Sequence, residues 1–188
     1  IKFINVLYGN KKDPILSDVS FDIPANSITV ITGEAGSGKT GVFDLLMKLN
    51  RQHSGDIYID DDKYEKISDE DYYNLVSLVR KDPNFFDLSI KDNLMLVTES
   101  FTRVKRICDT IGIHNDIIAL KNKYDTQIND STEKVSKNLK LAIAVARTIL
   151  KDSNIMMFDE SIETLDEIHK RNVIKMLKDL KTDHTIII

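Results

Sequence analysis

One octapeptide constrains this chain more than any other: Gly33-Glu34-Ala35-Gly36-Ser37-Gly38-Lys39-Thr40. It fits G-x-x-x-x-G-K-[ST] at every fixed position. Residues 28–32 before it are a β-branched run. Residues 41–50 after it place Val42, Phe43, Leu45, Leu46 and Leu49 on one helical face. The loop therefore joins a strand to a helix, which commits this part of the chain to an α/β arrangement. Glycines let the backbone wrap a phosphate, with N–H groups pointing inward at a helix N-terminus. Lys39 offers a point charge to the outer phosphates, and Thr40 offers a hydroxyl to Mg²⁺. Three of the seven glycines of the chain lie here, a concentration that ordinary turn chemistry does not require.

The rest of the chain carries the pattern outward. Residues 1–30 alternate apolar and polar positions, broken by Gly9-Asn10 and Pro24-Ala25-Asn26, as antiparallel strands do. Residues 55–60 return to strand. Ser68 with Asp71 three residues on marks a helix start. From there to about Tyr124 the spacing predicts helix, with a loop over 81–87 and a break near Gly112. Helices follow over 138–151 and 166–180, and strands over 155–158 and 185–188. Strands alternating with helices predict a parallel sheet. The stretch 68–125 is long and helical enough to predict a subdomain of its own.

Composition narrows the class. The 188 residues are 41% hydrophobic and 30% charged, an ordinary globular balance. With 26 basic and 30 acidic residues the net charge is -4, which argues against a nucleic-acid surface. The single cysteine, Cys108, forms no internal disulfide and reads as a buried filler. No apolar run is long enough to span a bilayer and no signal peptide is visible. The chain opens at Ile1 and stops within Ile186-Ile187-Ile188; a terminus rarely falls inside a buried strand, so flanking chain is expected on both sides.

A second chemical element lies far along the sequence. Ile155-Met156-Met157-Phe158-Asp159-Glu160 is an apolar strand ending in two carboxylates. Beside a phosphate loop, the first carboxylate suits the Mg²⁺ shell. The second suits a base acting on water that attacks the γ-phosphate. Both elements belong at one end of one parallel sheet.

The order of these elements resembles the nucleotide-binding domain of ABC transporters, over essentially all of residues 1–188. Ile1-Lys2-Phe3-Ile4-Asn5-Val6 looks like the opening strand of that family, and Ile15-Leu16-Ser17-Asp18-Val19-Ser20-Phe21 like the next. Residues 53–60 resemble its "SGxIxIDG" element. Lys81-Asp82-Pro83-Asn84-Phe85-Phe86 through Ser89-Ile90-Lys91-Asp92-Asn93-Leu94 resembles the exporter stretch "QDPxLFxxSIxENI". Tyr124-Asp125-Thr126 resembles the exporter "YDT". Ala142-Ile143-Ala144-Val145-Ala146-Arg147 looks like the helix after the signature, and Glu163-Thr164-Leu165-Asp166 like the D-loop. The resemblance implies a P-loop NTPase of ABC type: a parallel-sheet core, an antiparallel β subdomain and a helical subdomain.

The departures are as informative. Val135-Ser136-Lys137-Asn138-Leu139 stands where the family has LSGGQ, and only Ser136 is kept. The glycines of that segment permit close backbone approach to a nucleotide held by the other subunit; Lys137 and Asn138 do not. Lys81 stands where the family has the Q-loop glutamine, placing a cation where an amide is usual. Asn129-Asp130-Ser131-Thr132 replaces the "GExG" element. The switch histidine falls just beyond Ile188. His53, His114, His169 and His184 lack metal-like spacing and read as ordinary surface residues. For the aromatic that stacks on adenine, counting back from Gly33 gives Tyr8 and counting forward from Phe3 gives Asn10; Tyr8 also reads as a strand core residue.

The resemblance therefore implies Mg²⁺-dependent ATP binding and hydrolysis that drives export through an attached transmembrane domain, at the cytoplasmic face of a membrane. Lys39 and Glu160 would be the catalytic residues, and Thr40 and Asp159 the Mg²⁺ ligands. Tyr8, residues 33–40, Lys81 and Ser136 would contact nucleotide. A second ABC domain, non-identical, would close on this one head to tail. A non-transport ABC ATPase of the DNA-repair kind would carry a long coiled-coil insertion, which is absent. A binding-only regulatory domain with little turnover is the other reading, favoured by Lys81 and the altered signature and opposed by Glu160.

Overall fold

The computed structural model describes residues 1–10, 12–128 and 135–188. They divide into two units: Ile1–Leu78 with Asn154–Asp159 and Lys181–Ile188, and Val79–Ser153 with Glu160–Leu180. The second unit starts at Val79 and takes in two later helices.

The first unit opens with β1 (Lys2–Asn10) and β2 (Asp13–Asp22), an antiparallel pair. Phe3, Val6 and Tyr8 face inward and are buried, an irregularity between Phe3 and Val6 shifting the phase of the alternation. Phe3 stacks on Phe21 of the partner strand, centroids 4.5 Å apart. Next come β3 (Ile28–Thr29), α1 (Lys39–Leu46), β4 (His53–Ile59) and β5 (Asp62–Lys63). The antiparallel sheet has the order β2-β1-β4-β5. Helix α2 (Asp69–Leu75) begins as the sequence predicts: the Ser68 hydroxyl accepts the Asp71 N–H.

The second sheet is built from β3, β6 (Val76–Arg80), β7 (Ile155–Asp159) and β8 (Thr185–Ile187), in the order β3-β8-β7-β6. β8 pairs in parallel with both β3 and β7. All five residues of β7 are buried, as expected of a parallel strand covered on both faces. Strand β6 corrects the sequence reading, which has helix over these residues. Val76-Ser77-Leu78-Val79 is a short β-branched-rich run, and pairing within the sheet overrides the weak helical spacing around it.

Helix α1 drives its apolar face into the core of this unit, with Leu45 and Leu46 at 0% and 1% exposure. Lys48, just past its end, is a buried lysine whose side chain is 3% exposed. Its ammonium donates to the Ile67 carbonyl at 2.8 Å and lies 4.2 Å over the Tyr72 ring. Burial pulls the Lys48 ammonium below the usual lysine range, against the opposing pull of Asp69.

The second unit is helical: α3 (Ile90–Met95), α4 (Phe101–Thr110), α5 (His114–Ile118), α6 (Lys137–Lys151) and α7 (Glu167–Leu180). Serines cap three of them: Ser89, Ser100 and Ser136 each accept an N–H from the first turn. Helix α4 packs on α3, α5, α6 and α7. Cys108 on α4 is fully buried and burial pushes its thiol up to about 11, so it is the inert filler the sequence suggests.

Candidate nucleotide site

The phosphate loop lies between β3 and α1, as its sequence context requires. Gly36 and Gly38 take left-handed backbone angles, φ 80° and 92°. Gly38 is also the residue that caps α1. A Cβ at Gly38 would press on the Ile15 carbonyl oxygen at 2.6 Å, so both conformation and space demand glycine there. The Lys39 ammonium curls back and donates to the carbonyls of Gly33 and Glu34, each at 2.9 Å. The Ser37 N–H donates to the Glu34 carbonyl at 3.2 Å. The loop is thus a closed ring around its own lysine, with Glu34, Ala35, Gly36, Ser37 and Thr40 exposed.

Asp159 ends β7, and its carboxylate is 5% exposed. The Thr40 hydroxyl donates to Asp159 Oδ1 at 3.3 Å, across 119 residues of sequence. The fold of the first unit therefore joins the two elements the sequence singles out. Two hard oxygen donors side by side fit Mg²⁺, which takes its other places from water and phosphate. Among the described residues no group of three or more His, Cys, Asp or Glu side chains could hold a metal by itself, so the remaining ligands must come from elsewhere.

The structure places Tyr8 in the core. It is 5% exposed and belongs to the hydrophobic core, where its ring borders the space left by Gly41. The register shift between Phe3 and Val6 in β1 turns it inward. Asn10, the other position the counting allows, is exposed at the end of β1 and carries no ring.

The second unit holds the other predicted residues. Glu160 follows Asp159 in the chain with φ 49°, a left-handed angle that a non-glycine residue keeps only where its surroundings hold it. The Thr164 hydroxyl donates to the Glu160 carbonyl at 2.7 Å. Lys81 follows β6, and its ammonium is 3.1 Å from Glu160 Oε2. Ser136 is exposed, and its hydroxyl accepts the Leu139 N–H at 3.1 Å as the cap of α6. Residues 129–132, which replace "GExG", lie outside the described residues.

Several structural roles escaped the sequence reading. His169, read there as a surface residue, is 6% exposed and lies between two carboxylates. Its Nδ1 is 2.8 Å from Asp166 and its Nε2 3.1 Å from Asp116. Asn138 joins this cluster by donating to Asp166 at 2.6 Å and accepting the Asp166 N–H at 3.0 Å. Partial burial pushes the Asp166 carboxyl up, but the His169 N–H, the His169 ring and the Asn138 amide outweigh it and hold it below the usual range. The i, i+3 spacing of Asp166 and His169 was the available signal. His53 is likewise a core residue: its side chain is 4% exposed and faces the Tyr64 hydroxyl at 2.9 Å. Arg147 is a further missed role: it donates to the Asn84 carbonyl at 2.9 Å and lies 5.0 Å over Phe85. Asn93 holds the same loop by donating to the carbonyls of Phe86, Leu88 and Ser89.

Comparison with known proteins agrees with this geometry. The family model described as ABC transporter matches residues 16–163. The mitochondrial iron-sulfur clusters transporter ABCB7 of Danio rerio is 32% identical over 187 residues, 98% of this chain and 25% of that protein. The ABC transporter ATM1 of Plasmodium falciparum is 32% identical over 184 residues, 95% of this chain and 17% of that protein. A putative ABC transporter ATP-binding protein of Mycoplasma pneumoniae is 28% identical over 178 residues, 93% and 28% of the two chains. The solved structure of a bacterial Atm1-family ABC exporter with ATP bound superposes with a TM-score of 0.91 at 26% identity, over 99% of this chain and 33% of that one. This chain therefore spans about a third or less of these relatives. With the phosphate loop, the Thr40–Asp159 pair and these matches in agreement, the chain belongs to the ABC transporter family, as its ATP-binding ATPase domain.

Proposed function

We propose that this chain is the motor domain of an exporter, hydrolysing ATP to drive a transmembrane domain in the same transporter from the cytoplasmic face of a membrane. Among the described residues no helix is long and apolar enough to cross a membrane. The observation that carries the reading is the Thr40–Asp159 contact at 3.3 Å beside a complete phosphate loop. Loop N–H groups and Lys39 bind the phosphates, and the Lys39 ammonium exchanges the Gly33 and Glu34 carbonyls for phosphate oxygens. Thr40 and Asp159 hold Mg²⁺, which when bound offsets charge on the phosphates. Glu160 accepts a proton from the attacking water as its oxygen bonds to the γ-phosphorus; the bond to the bridging oxygen breaks and ADP leaves. Ser136 faces a nucleotide held by the partner domain.

The transporter pairs this domain head to tail with a non-identical ABC domain. A homodimer would cap both nucleotides with Val135-Ser136-Lys137-Asn138-Leu139. The Asn138 amide is already engaged by Asp166 and His169, which leaves that segment poorly suited to hold phosphate. The phosphate loop, Asp159 and Glu160 are nevertheless intact, as a domain needs when its partner supplies a better cap. Purified full-length protein, assayed alone and with candidate partner subunits, tests this. Substantial ATPase activity of the homodimer, abolished by Ser136→Ala, would overturn the asymmetric pair. Turnover undetectable in every combination would favour the binding-only reading.

A further inference from the structure

Glu160 is placed with unusual care. Its backbone is held in the left-handed region, and its carbonyl is tied to the Thr164 hydroxyl. Its carboxylate meets the Lys81 ammonium at 3.1 Å across 79 residues of sequence, within the second unit. Lys81 is equally fixed at its root. Strand β6 ends just before it. The loop just after it is clamped by Arg147 on Asn84 and by Asn93 on Phe86, Leu88 and Ser89. Both side chains of the pair are about half exposed, 55% and 49%. An exposed pair of this kind adds little to folding. Two anchored backbones that deliver opposite charges to one point, with little gain in stability, indicate a role at the carboxylate itself.

We infer that Lys81 is a positioning residue that guards Glu160, occupying Oε2 and neutralising its charge until the ammonium is drawn away. A carboxylate oxygen that accepts an ammonium N–H presents fewer lone pairs to a water molecule, and its charge is offset at close range. Turnover then waits on Lys81 leaving Glu160, so the basal rate of this domain is set low by a side chain rather than by a defect in the base. This inference rests on the reading of Glu160 as the base.

The test uses full-length transporter with Lys81→Gln, Lys81→Arg and Glu160→Gln. Lys81→Gln should raise kcat for ATP about fivefold, the scale of a surface ion pair, with KM changed less than about twofold. Lys81→Arg should restore the low rate. Zero-length carbodiimide coupling of the nucleotide-free protein, read by peptide mass spectrometry, should give a Lys81–Glu160 amide that is lost in both Lys81→Gln and Glu160→Gln. An unchanged or lowered kcat in Lys81→Gln, or no such coupled peptide, overturns the guard. If Glu160→Gln keeps its turnover, the base assignment fails and the guard falls with it. If Glu160→Gln is inactive while Lys81→Gln gains nothing, the guard alone fails.

Discussion

The phosphate loop and the segment around Ser136 have had opposite fates in one chain. Every fixed position of the loop is kept, and the reason is visible at single residues: Gly38 has neither the φ nor the space for a side chain. In Val135-Ser136-Lys137-Asn138-Leu139 only Ser136 matches the family pattern, and there the structure shows a private arrangement instead. Ser136 caps α6, and Asn138 is drawn into a cluster with Asp166, His169 and Asp116. A backbone cradle tolerates almost no substitution because its ligands are main-chain N–H groups at fixed angles. A helix start tolerates many, since any cap and any first-turn contact will hold it. The difference teaches which half of the machinery this chain retains in its own residues.

That contrast is open to direct attack. The largest effect should come from Lys39→Ala, which removes the cation of the loop: ATP affinity should fall by about 10²-fold or more, measured by equilibrium binding with labelled nucleotide and Mg²⁺. Unchanged affinity would remove the loop from nucleotide binding. Next, Glu160→Gln should lower kcat by roughly 10²-fold while ATP affinity stays within about threefold. Wild-type turnover in that variant would place the base elsewhere.

The private half predicts smaller, structural effects. His169→Gln breaks a buried imidazole away from Asp116 and Asp166 and should cost about 1 kcal/mol locally. Amide hydrogen exchange over residues 137–140 should quicken about fivefold, without change at the phosphate loop. If exchange at the loop changes equally, the contrast between the two segments is wrong. The smallest effect concerns pH. The Asp166 carboxyl titrates below its ordinary value in the folded chain, so its ionised form contributes stability that is fully present above the ordinary carboxylate range. That contribution is lost as pH falls through the depressed folded value, below about pH 4. Protection at the start of α6 and α7 should therefore decline on acidification, and Asp166→Asn should flatten that decline.

Much of the fold was legible because its signals are local. Ser68 and Asp71 announce α2, the apolar run at 155–158 announces a buried strand, and the loop motif announces its own strand and helix. Strand β6 was not legible: five residues inside a helical spacing become a strand because the sheet has a place for them. The helices α6 and α7 join the second unit through contacts between residues far apart in sequence, which local spacing does not announce. Tyr8 was open between core and base contact, and the irregularity in β1 between Phe3 and Val6 turns its ring inward.

What the sequence alone determined is the chemistry of the retained half. Phosphate binding needs glycines, a lysine and a hydroxyl at fixed local spacing, and chain connectivity writes that spacing directly. What only the tertiary structure decided is pairing across distance that no motif announces: Lys81 with Glu160, and His169 with Asp116. Charge and hydrogen bonding act over a few ångströms of space, irrespective of the 79 residues of chain between Lys81 and Glu160, so no local pattern encodes that these groups will meet.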